Sequence, residues 1–593
     1  MSEYILVSVA WPYANADIHQ GNVTGSYLPA DIYARFHRLK GNHVLMVSGS
    51  DSHGTPVTVK ADEQGKTARE VFEYYHERFM QVFQGLGLTY DLFTHTDTEN
   101  HHQVSQDIFL TLKKNGYMYT KVTQQMYSAS ANKFLPDRYV EGTCPVCGYG
   151  RARGDQCDNC NALFESAAEL INPVSKLDNS ALELRDTEHF FIDLPKIAAD
   201  GLNEWIKQDK EHWRPQVINF AQNFVLEQGL IGRAVSRDMD WGVPIPVEGY
   251  DDKVMYVWFE AVIGYLSATI EWAKNNGDPE AWRNWWQGDN ARTVYFIGKD
   301  NIPFHTIMWP AQLIGAHGLY NDDSPDTVLN LPYDVPANEF MNMEGRKISG
   351  SMNWGVWMID ALERFDPDPL RYYLTAVMPE TRDSDWSWQG YVDRNNSELV
   401  ANWGNLVNRV LNMTKRYFKG VVPDPGELTE KDKALIAAID EGFESVGALY
   451  DACKFRAVVN ENLRLSTLVN QYLEDTSPWT TAKTDMTATA RSLYTTLQAL
   501  SGLKALWAPI LPFTSQKIHE MLGEEGTLFG EQVIETYAES ARSHLGLTYK
   551  GETAVGQWQR VDIEIGRELP KPKPLFKKLD ETVVEEELAR LGN

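Results

Sequence analysis

The sequence of 593 residues contains little cysteine, and its few cysteines are unevenly placed. Four of the five cysteines lie within residues 144–160, so they are not spread along the chain as a disulfide framework would require. A small number of cysteines without a disulfide framework is typical of proteins in a reducing compartment. We therefore expect a cytoplasmic protein.

Long apolar runs and excess positive charge are also missing. No run approaches the roughly 18 consecutive apolar residues of a membrane-spanning helix, and residues 1–3 lack the basic and apolar regions that begin a signal peptide. The formal net charge is −27, whereas general nucleic-acid binders are normally basic. The charge argues against such a binder but leaves room for a local basic patch, and no membrane partner is expected.

The N-terminal region alternates between strand and helix patterns. Tyr4–Val9 is an apolar, β-branched run typical of a buried strand, and residues 27–41 repeat apolar side chains at helical spacing. Between them lies His19-Gln20-Gly21-Asn22, where an open α/β sheet binds ligands. Gly21 allows close approach of the backbone, and a helix N-terminus favours phosphates. A histidine beside a turn glycine, with no ligand, explains this stretch about equally well.

Two further strand-to-turn units follow. Residues 44–56 place Asp51 and His53 at the carboxyl end of a strand, the same edge as His19 if the strands are parallel. Asp51 could hold a substrate ammonium group, and capping of the next helix is the alternative. Residues 294–309 form a second such unit, whose polar end carries Gly298, Lys299, Asp300 and His305. These patterns predict an α/β fold with a Rossmann-type, doubly wound sheet.

The clustered cysteines form two C-x-x-C pairs, Cys144 with Cys147 and Cys157 with Cys160, in a glycine-rich stretch. Two such pairs can present four thiolates tetrahedrally, which predicts a closed, structural zinc site. A redox pair is the alternative, but two matched pairs in one loop favour zinc. Cys453 lies in a helical segment and is interpreted as a small buried apolar residue.

Two stretches in the middle of the chain could contact ligands. Residues 256–265 are apolar and aromatic and could line a pocket for an unbranched apolar side chain, although core packing explains them equally well. Arg237 could pair with Asp51 or a substrate carboxylate, with a surface ion pair as the alternative. Arg346 and Lys347 lie among small residues, which predicts a mobile basic loop able to close over phosphates; a plain surface turn is the alternative.

From Tyr391 onward the pattern is helical, with no strand signal. Asn405 and Arg409 lie off the apolar face of one helix. Ser477-Pro478 is typical of an N-cap followed by a first helical turn, which could expose Trp479 for stacking on a base. Core packing of Trp479 is the alternative. The last fifty residues, rich in Pro, Lys and Glu, are predicted to be a linker and a solvated tail.

Taken together and in this order, these motifs resemble those of the methionyl-tRNA synthetases, a family of class I aminoacyl-tRNA synthetases. The resemblance covers about residues 4–540. Residues 19–22 resemble the HIGH motif, and Lys347-Ile-Ser-Gly-Ser351 resembles the KMSKS loop. The four cysteines resemble the zinc knuckle of the connective insertion, and the helical end resembles the anticodon-binding bundle.

The resemblance implies an enzyme that activates methionine with ATP and transfers it to the 3′-terminal adenosine of initiator and elongator tRNA(Met). The catalytic groups would be His19, Asn22 and Lys347. ATP would contact His19, Gly21, Asn22, Gly298, Lys299, Asp300, Lys347, Ser349 and Ser351. Methionine would contact Ala10, Trp11, Tyr13, Asp51, Trp258, Tyr265, His305 and Trp309, with Arg237 supporting Asp51. Asn405, Arg409 and Trp479 would read the CAU anticodon.

The resemblance also implies cofactors and domains. Cys144, Cys147, Cys157 and Cys160 would hold one structural Zn²⁺, and Mg²⁺ would accompany ATP. The two Rossmann halves would span residues 1–120 and 231–325, separated by the connective insertion at 121–230. A stem-contact region at 326–390, an anticodon-binding domain at 391–540 and a tail at 541–593 would follow. The family's appended C-terminal dimerisation module has no counterpart here, so a monomer is expected.

Three positions depart from the family pattern. Asn22 replaces the second His of HIGH, and Trp11 stands where a pocket Leu is usual. Gly350 replaces the second Lys of KMSKS, a cation whose loss could remove several kcal/mol of transition-state stabilisation, on the order of an oxyanion donor. Arg346 or Lys347 are the candidates to cover its role.

Three other functions fit the sequence less well. A synthetase for Leu, Ile or Val would need an editing domain, for which the insertion is too short. A cysteinyl enzyme would carry its zinc in the pocket, whereas here all four thiolates lie in one loop. Gly350 and Asn22 motivate a non-catalytic RNA-binding or regulatory paralogue. The joint presence of His19, Asp51 and Lys347 argues against it.

Overall fold

The computed structural model describes residues 2–136, 139–154, 157, 159–160, 162, 164, 167–208, 210–321 and 324–592. A seven-stranded sheet lies at its centre. Its strands are β1 (Tyr4–Val9), β2 (His43–Ser50), β3 (Leu92–His95), β4 (Ala291–Gly298), β5 (Ala337–Asn338), β6 (Glu531–Ala538) and β7 (Ser543–Lys550). They run in the order β5-β4-β1-β2-β3-β7-β6, and the first five are parallel. The predicted doubly wound α/β fold is confirmed.

Alternate residues of the parallel strands enter two different cores. On β1, Ile5, Val7 and Val9 pack into one core, whereas Leu6 packs into the other. Both faces of the sheet are therefore covered, which explains the continuous apolar runs of these strands. The helices of this region are Gln20–Asn22, Leu28–Leu39, Thr55–Gln64, Ala68–Leu86, Glu99–Lys114, Val257–Glu260, Gly264–Asn275, Arg283–Trp286, Trp309–Gly315, Met358–Arg364 and Pro367–Ala376.

An insertion between β3 and β4 has its own small sheets. One pairs Met118–Ser128 with Glu183–Ile192 and adds Lys133–Phe134 and Arg233–Ala234. Another consists of Val140–Thr143, Ala152–Arg153 and Ile171–Ser175, and it carries the cysteines. A two-stranded ribbon joins Ser236–Arg237 to Val254–Met255. The short helices Leu194–Ile197, Asn203–Lys207 and Pro215–Gln222 complete the insertion.

The C-terminal half begins with a small sheet of Met341–Met343, Arg346–Lys347 and Ser384–Trp386. A helical region follows, with helices Trp388–Arg394, Asn405–Phe418, Glu430–Asp451, Phe455–Thr476, Pro478–Thr481, Met486–Trp507 and Pro512–Met521. Short π- or 3₁₀-helical turns occur at Val23–Tyr27, Ala167–Glu169, Ala198–Leu202, Asn223–Gln228, Ala261–Ile263, Lys299–Asn301, Phe304–Met308 and Asn395–Gly404. Within the described part of the chain, no helix is long and apolar enough to cross a membrane.

The chain after the helical region differs from the predicted linker and solvated tail. β6, which lies inside the stretch 391–540 that was predicted to be helical, forms an antiparallel hairpin with β7, and Leu547 of β7 pairs with Phe93 of β3. Further on, Ile563 is 1% exposed and the helix Thr582–Leu588 packs against the helix Trp388–Arg394. The prediction was wrong because charged residues and prolines separate apolar side chains that only the folded core brings together.

A buried ion-pair cluster connects the sheet to the helical region. Arg371 is fully buried, and its guanidinium donates to Asp31 Oδ2 at 2.7 Å and to the carbonyls of Leu86 and Pro509 at 3.0 and 2.9 Å. Arg35 donates to the same Asp31 oxygen at 2.9 Å. Burial alone would raise the pKa of Asp31, but the two arginines outweigh burial and lower it.

We expect Arg371→Met to lower the free energy of unfolding by about 3–5 kcal/mol, because it removes one partner of a buried ion pair. Urea unfolding followed by circular dichroism measures this change. Arg464→Met is the control, since Arg464 pairs with Glu461 at the surface with its side chain 60% exposed, and such pairs contribute about 0–1 kcal/mol. Equal effects of the two substitutions would contradict the role of Arg371.

Candidate functional site

His19 caps the helix that begins after β1. Its Nδ1 accepts hydrogen bonds from the backbone N–H groups of Gly21 and Asn22 at 3.1 and 3.3 Å, and Asn22 Oδ1 accepts from His19 N at 3.1 Å. Burial lowers the pKa of His19 to about 4, so the ring is neutral at neutral pH. Because Nδ1 accepts, Nε2 carries the hydrogen and can donate to an anionic ligand.

The basic loop lies directly against this cap. A Cβ on Gly21 would lie 2.8 Å from Ile348 Cδ1, so the missing side chain lets the loop approach the helix start. Within the loop, Ser349 and Trp354 exchange two backbone hydrogen bonds of 2.9 Å, and the Arg346 guanidinium lies over the Trp354 ring at 4.8 Å. The structure therefore brings the two motifs together.

A cavity of about 690 Å³ opens beside Gly350 and Ser351. Three cationic side chains, Lys60, Arg153 and Lys176, and three carboxylates, Asp17, Glu63 and Asp360, line it. Lys60 belongs to the helix Thr55–Gln64, whereas Arg153 and Lys176 come from the insertion. The cations beside Gly350 thus come from elements distant in sequence, and carboxylates in equal number accompany them.

Lys299 follows β4 at the same edge of the sheet but is occupied by carboxylates. Its Nζ contacts Glu339 Oε2 at 2.7 Å and Asp383 Oδ1 at 2.8 Å, and it lies over the Phe340 ring at 4.2 Å. A ligand contact to Lys299 would therefore compete with these ion pairs. Gly298 and Asp300 flank it, and a Cβ on Gly298 would lie 2.9 Å from Asp300 Oδ1.

Asp51 is a buried carboxyl at the carboxyl end of β2, with 2% of its surface exposed. Its backbone N donates to Pro12 O at 2.8 Å, which ties it to the segment that carries Tyr13. In the described part of the chain, its carboxylate receives one hydrogen bond, from His53 N at 3.4 Å. Burial and the nearby Glu260 raise the pKa of Asp51 well above its usual value. A cation bound here would compensate the buried charge.

The aromatic residues proposed for the methionine pocket contact one another in pairs. The buried Tyr265 and His305 form a hydrogen bond of 2.6 Å. Burial lowers the pKa of His305 to about 4, and its Nδ1 donates to Asn301 O at 2.9 Å, so Nε2 accepts from the tyrosine. Trp258 stacks on Phe304, with ring centroids 4.1 Å apart.

A cavity of about 520 Å³ is lined by Tyr13 and Trp258, which lie edge to face at 5.8 Å. Arg237 also lines this cavity, and its guanidinium lies 3.9 Å from the centroid of the Tyr256 ring. The guanidinium donates to the carbonyls of Ser236 and Ala234 at 2.8 and 3.3 Å. Trp309 does not line this cavity: it is fully buried in the core, where its Nε1 donates to Tyr295 Oη at 2.9 Å.

Two glycines make room for Trp11. A Cβ on Gly49 or Gly264 would lie 2.3 or 2.6 Å from atoms of the Trp11 ring. The ring also lies 6.2 Å from that of His101. Ala10, which precedes it, donates its backbone N–H to Phe296 O at 3.0 Å and is held against β4. The large side chain at this position thus depends on missing side chains in β2 and in the helix Gly264–Asn275.

The sequence analysis missed Glu260, which is fully buried beside the pocket. Its carboxylate oxygens lie 2.9 and 3.0 Å from His53 Nδ1, and one of them lies 3.1 Å from His101 Nε2. The available signal was a single acidic residue within the apolar stretch 256–265. An acidic residue inside such a run needs a buried partner.

In the helical region, Arg409 lies over the Trp479 ring at 5.0 Å and pairs with Glu474 at 2.8 Å. Asn405, four residues before Arg409, is exposed. The three positions named from the sequence therefore lie on adjacent helices. Pro478 begins its helix as predicted, but Ser477 does not cap it, because its Oγ donates to Glu474 O instead.

The four clustered cysteines lie close together. Cys144 Sγ is 3.8 Å from Cys160 Sγ, and Cys147 Sγ is 3.6 Å from Cys157 Sγ. All four sulfurs lie within 4.8 Å of one another. A tetrahedral zinc ion with Zn–S bonds of about 2.3 Å places its sulfurs about 3.8 Å apart. The cluster has the geometry to hold a metal ion.

We expect Gly264→Ala to destabilise the protein by about 1–3 kcal/mol, because its Cβ overlaps the Trp11 ring. In a Trp11→Leu background the same substitution should be neutral or stabilising, since alanine favours a helix more than glycine does. Thermal unfolding of the four proteins measures this coupling. Gly25→Ala is the control, because nothing lies within 4 Å of its added Cβ. Additive effects of Trp11→Leu and Gly264→Ala would contradict the contact.

Comparisons with known proteins agree over nearly the whole chain. Residues 5–411 match the family model for class I tRNA synthetases (M), and residues 422–545 match that for the anticodon binding domain of methionyl tRNA ligase. The methionine–tRNA ligase of Thermomicrobium roseum is 51% identical over 593 residues, covering 100% of this chain and 99% of that protein. That of Roseiflexus castenholzii is 50% identical over 600 residues, with the same coverage.

A solved structure is similar as well. Mycobacterium tuberculosis methionyl-tRNA synthetase in complex with methionyl-adenylate has a TM-score of 0.74 and 26% sequence identity. The match covers 97% of this chain and 100% of that chain. The apo form of the M. tuberculosis enzyme matches with a TM-score of 0.67. The overall fold is thus shared along the full length.

Proposed function

The chain belongs to the class I methionyl-tRNA synthetases, and from this premise we propose how its side chains perform the reaction. It is a methionine–tRNA ligase, which activates methionine with ATP and transfers the methionyl group to tRNA. The comparisons lend no support to a non-catalytic paralogue. The residue assignment rests on one observation. His19, Asp51 and the loop 347–351 all lie at the same edge of the parallel sheet.

In the first step, the methionine carboxylate attacks the α-phosphorus of ATP and pyrophosphate leaves. We assign the triphosphate to the edge formed by His19, Gly21 and the loop, because neutral His19 offers an Nε2–H donor there. Asn22 acts through its side chain, which holds the His19 backbone. The reaction needs no enzyme nucleophile, since positioning and charge stabilisation suffice. Mg²⁺ would accompany the ATP phosphates.

The charge missing at Gly350 has a candidate replacement. Lys60, Arg153 and Lys176 line the cavity that Gly350 and Ser351 also line. The same cavity carries the carboxylates of Asp17, Glu63 and Asp360, so these cations stabilise departing pyrophosphate where the phosphates approach them rather than the carboxylates. We therefore assign this role to that group together with Lys347, which is exposed on the loop. Lys299 joins the site only if a ligand displaces Glu339 or Asp383.

We assign the methionine to the pocket around Asp51. The buried carboxyl suits the substrate ammonium group, and the aromatic rings of Trp11, Tyr13 and Trp258 suit the thioether side chain. The Tyr265–His305 hydrogen bond fixes the orientation of both side chains, which we assign to the same pocket. In the second step, a ribose hydroxyl of the 3′-terminal adenosine attacks the carbonyl carbon of methionyl-adenylate, and AMP leaves.

We propose that Asn405, Arg409 and Trp479 bind the anticodon. Arg409 stacks on Trp479 beside the exposed Asn405, and a base could take the place of either stacking partner. The six-part division of the chain also stays a proposal, with the last part redefined as a packed segment rather than a solvated tail. A monomer in the cytoplasm is inferred from the resemblance and from the cysteine distribution.

We propose that the cysteine cluster holds one Zn²⁺. The residues fit this ion, because the two short sulfur–sulfur distances of 3.8 and 3.6 Å suit tetrahedral coordination. Four thiolates leave no position for substrate, so the role is structural. When bound, the ion would stabilise the small three-stranded sheet of the insertion.

The residue assignment predicts that Asp51→Asn specifically weakens methionine binding. We expect the KM for methionine to rise at least about 30-fold, since loss of one partner of a buried charge pair costs about 2–5 kcal/mol. Methionine-dependent ATP–pyrophosphate exchange measures this, with the KM for ATP as the internal reference. Asp562→Asn is the control, because that side chain is 80% exposed. Exchange supported by another amino acid, or an unchanged methionine KM, would contradict the assignment.

The zinc proposal predicts one zinc ion per chain by elemental analysis. Cys144→Ser should lose zinc and lower the melting temperature, because a thiolate ligand is removed. Cys453→Ser is the matched control, since Cys453 is buried but lies outside the cluster. Full zinc content in Cys144→Ser would overturn the proposal.

A further inference from the structure

Three buried ionisable groups beside the pocket are connected by hydrogen bonds. Asp51, His53 and Glu260 are at most 2% exposed. The carboxylate oxygens of Glu260 lie 2.9 and 3.0 Å from His53 Nδ1, and His53 N donates to Asp51 Oδ1 at 3.4 Å. The His53 ring therefore contacts Glu260, whereas the His53 backbone N–H contacts Asp51, the carboxyl group that the proposed function assigns to the substrate.

Other titratable groups face His53 from the neighbouring elements. Asp97, after β3, places Oδ1 3.8 Å from His53 Nε2, and Asp97 itself pairs with Arg69 and Arg542. From the helix Glu99–Lys114, the His102 ring lies 5.5 Å away. Each nitrogen of His53 thus has a carboxylate nearby. Burial alone would lower the pKa of His53, but Glu260 and Asp97 outweigh it and raise the pKa to about 10.

Glu260 is fixed in place by a second histidine. His101 Nε2 lies 3.1 Å from Glu260 Oε2, and His101 Nδ1 lies 2.8 Å from Ser267 Oγ. Burial alone would raise the pKa of Glu260, but His53 and His101 outweigh burial and lower it to about 2. The carboxylate therefore stays ionised between two rings. It also lies two residues after Trp258, on the helix Val257–Glu260.

We propose that Glu260 is a positioning residue that holds the charged His53 ring, so that Asp51 remains available for the substrate ammonium group. Two cations cannot share one buried carboxylate without a second counter-ion. Glu260 supplies that counter-ion to His53, because Asp97 lies farther from the ring, at 3.8 Å, and is already paired with Arg69 and Arg542. Without Glu260, the His53 ring either loses its proton or stays charged near Asp51 with only Asp97 to balance it, and that charge competes with the ammonium group. The inference rests on the proposed role of Asp51.

Glu260→Gln tests this role through the pH dependence of methionine binding. The substitution should lower the pKa of His53 from about 10 towards its ordinary value of about 6.5. At about pH 6 a charged His53 then turns to Asp51, and the methionine KM should exceed the wild-type value about tenfold or more. At about pH 8.5 the ring is neutral and the ratio of the two KM values should shrink.

The control and reference variants separate a charge effect from a packing effect. Glu271→Gln is matched, because Glu271 is a nearby buried carboxyl that pairs with His544 at 2.8 Å outside the pocket. It should leave the methionine KM unchanged at every pH. Glu260→Asp keeps the charge and should restore most of the wild-type pH profile. The KM for ATP should stay within about twofold in all three variants.

The outcomes distinguish this inference from the proposed function. The role of Glu260 would be overturned if Glu260→Gln had the wild-type methionine KM, or if its methionine KM exceeded the wild-type value by the same factor at every pH. If Asp51→Asn raises the methionine KM while Glu260→Gln does not, only the present inference fails. If neither variant changes it, the assignment of Asp51 fails too.

A measurement on the wild-type protein covers the case in which Glu260→Gln does not fold. Histidine labelled with ¹³C at Cε1 gives an NMR signal for His53, which the loss of that signal in His53→Gln identifies. We expect the signal of a charged ring from about pH 6 to pH 9, because the pKa lies near 10. A ring that titrates near the ordinary value of about 6.5 would overturn the proposal.

Discussion

Parallel pairing of β1 with β2 and β4 is the constraint on which the rest of the site depends. It brings the carboxyl ends of three strands to one edge, so that His19, Asp51 and His305 follow strands that end at the same edge although they are far apart in sequence. Both faces of these strands are buried. Covering them requires helices on each side, and the helix that follows β1 begins at His19 with its cap facing the site.

Burial determines the electrostatics of the pocket. His19 and His305 are neutral because desolvation dominates their pKa values, and each ring has a fixed donor or acceptor nitrogen as a result. His53 is equally buried but charged, because Glu260 and Asp97 lie beside it. The same residue type thus serves as a neutral hydrogen-bonding group or as a cation, depending on whether a carboxylate is its neighbour.

Two of the positions that depart from the family pattern have neighbours remote in sequence. Trp11 occupies space left by Gly49 and Gly264. Gly350 lines a cavity together with equal numbers of cations and carboxylates, several of them from the helix Thr55–Gln64 and the insertion. The C-terminal segment likewise adds β7 to the central sheet beside β3. These neighbours are identified only from the folded structure.

The sequence by itself determined the Rossmann-type alternation, the paired cysteines and the family, because strand runs, C-x-x-C spacing and motif order are local patterns. It also proposed His19, Asp51 and the loop 347–351 as site residues. Only the tertiary structure decided that Lys299 is held by Glu339 and Asp383, that Trp309 is buried, and that Glu260 bridges His53 and His101. Charge state and burial arise from contacts between residues distant along the chain, and no local pattern records those contacts.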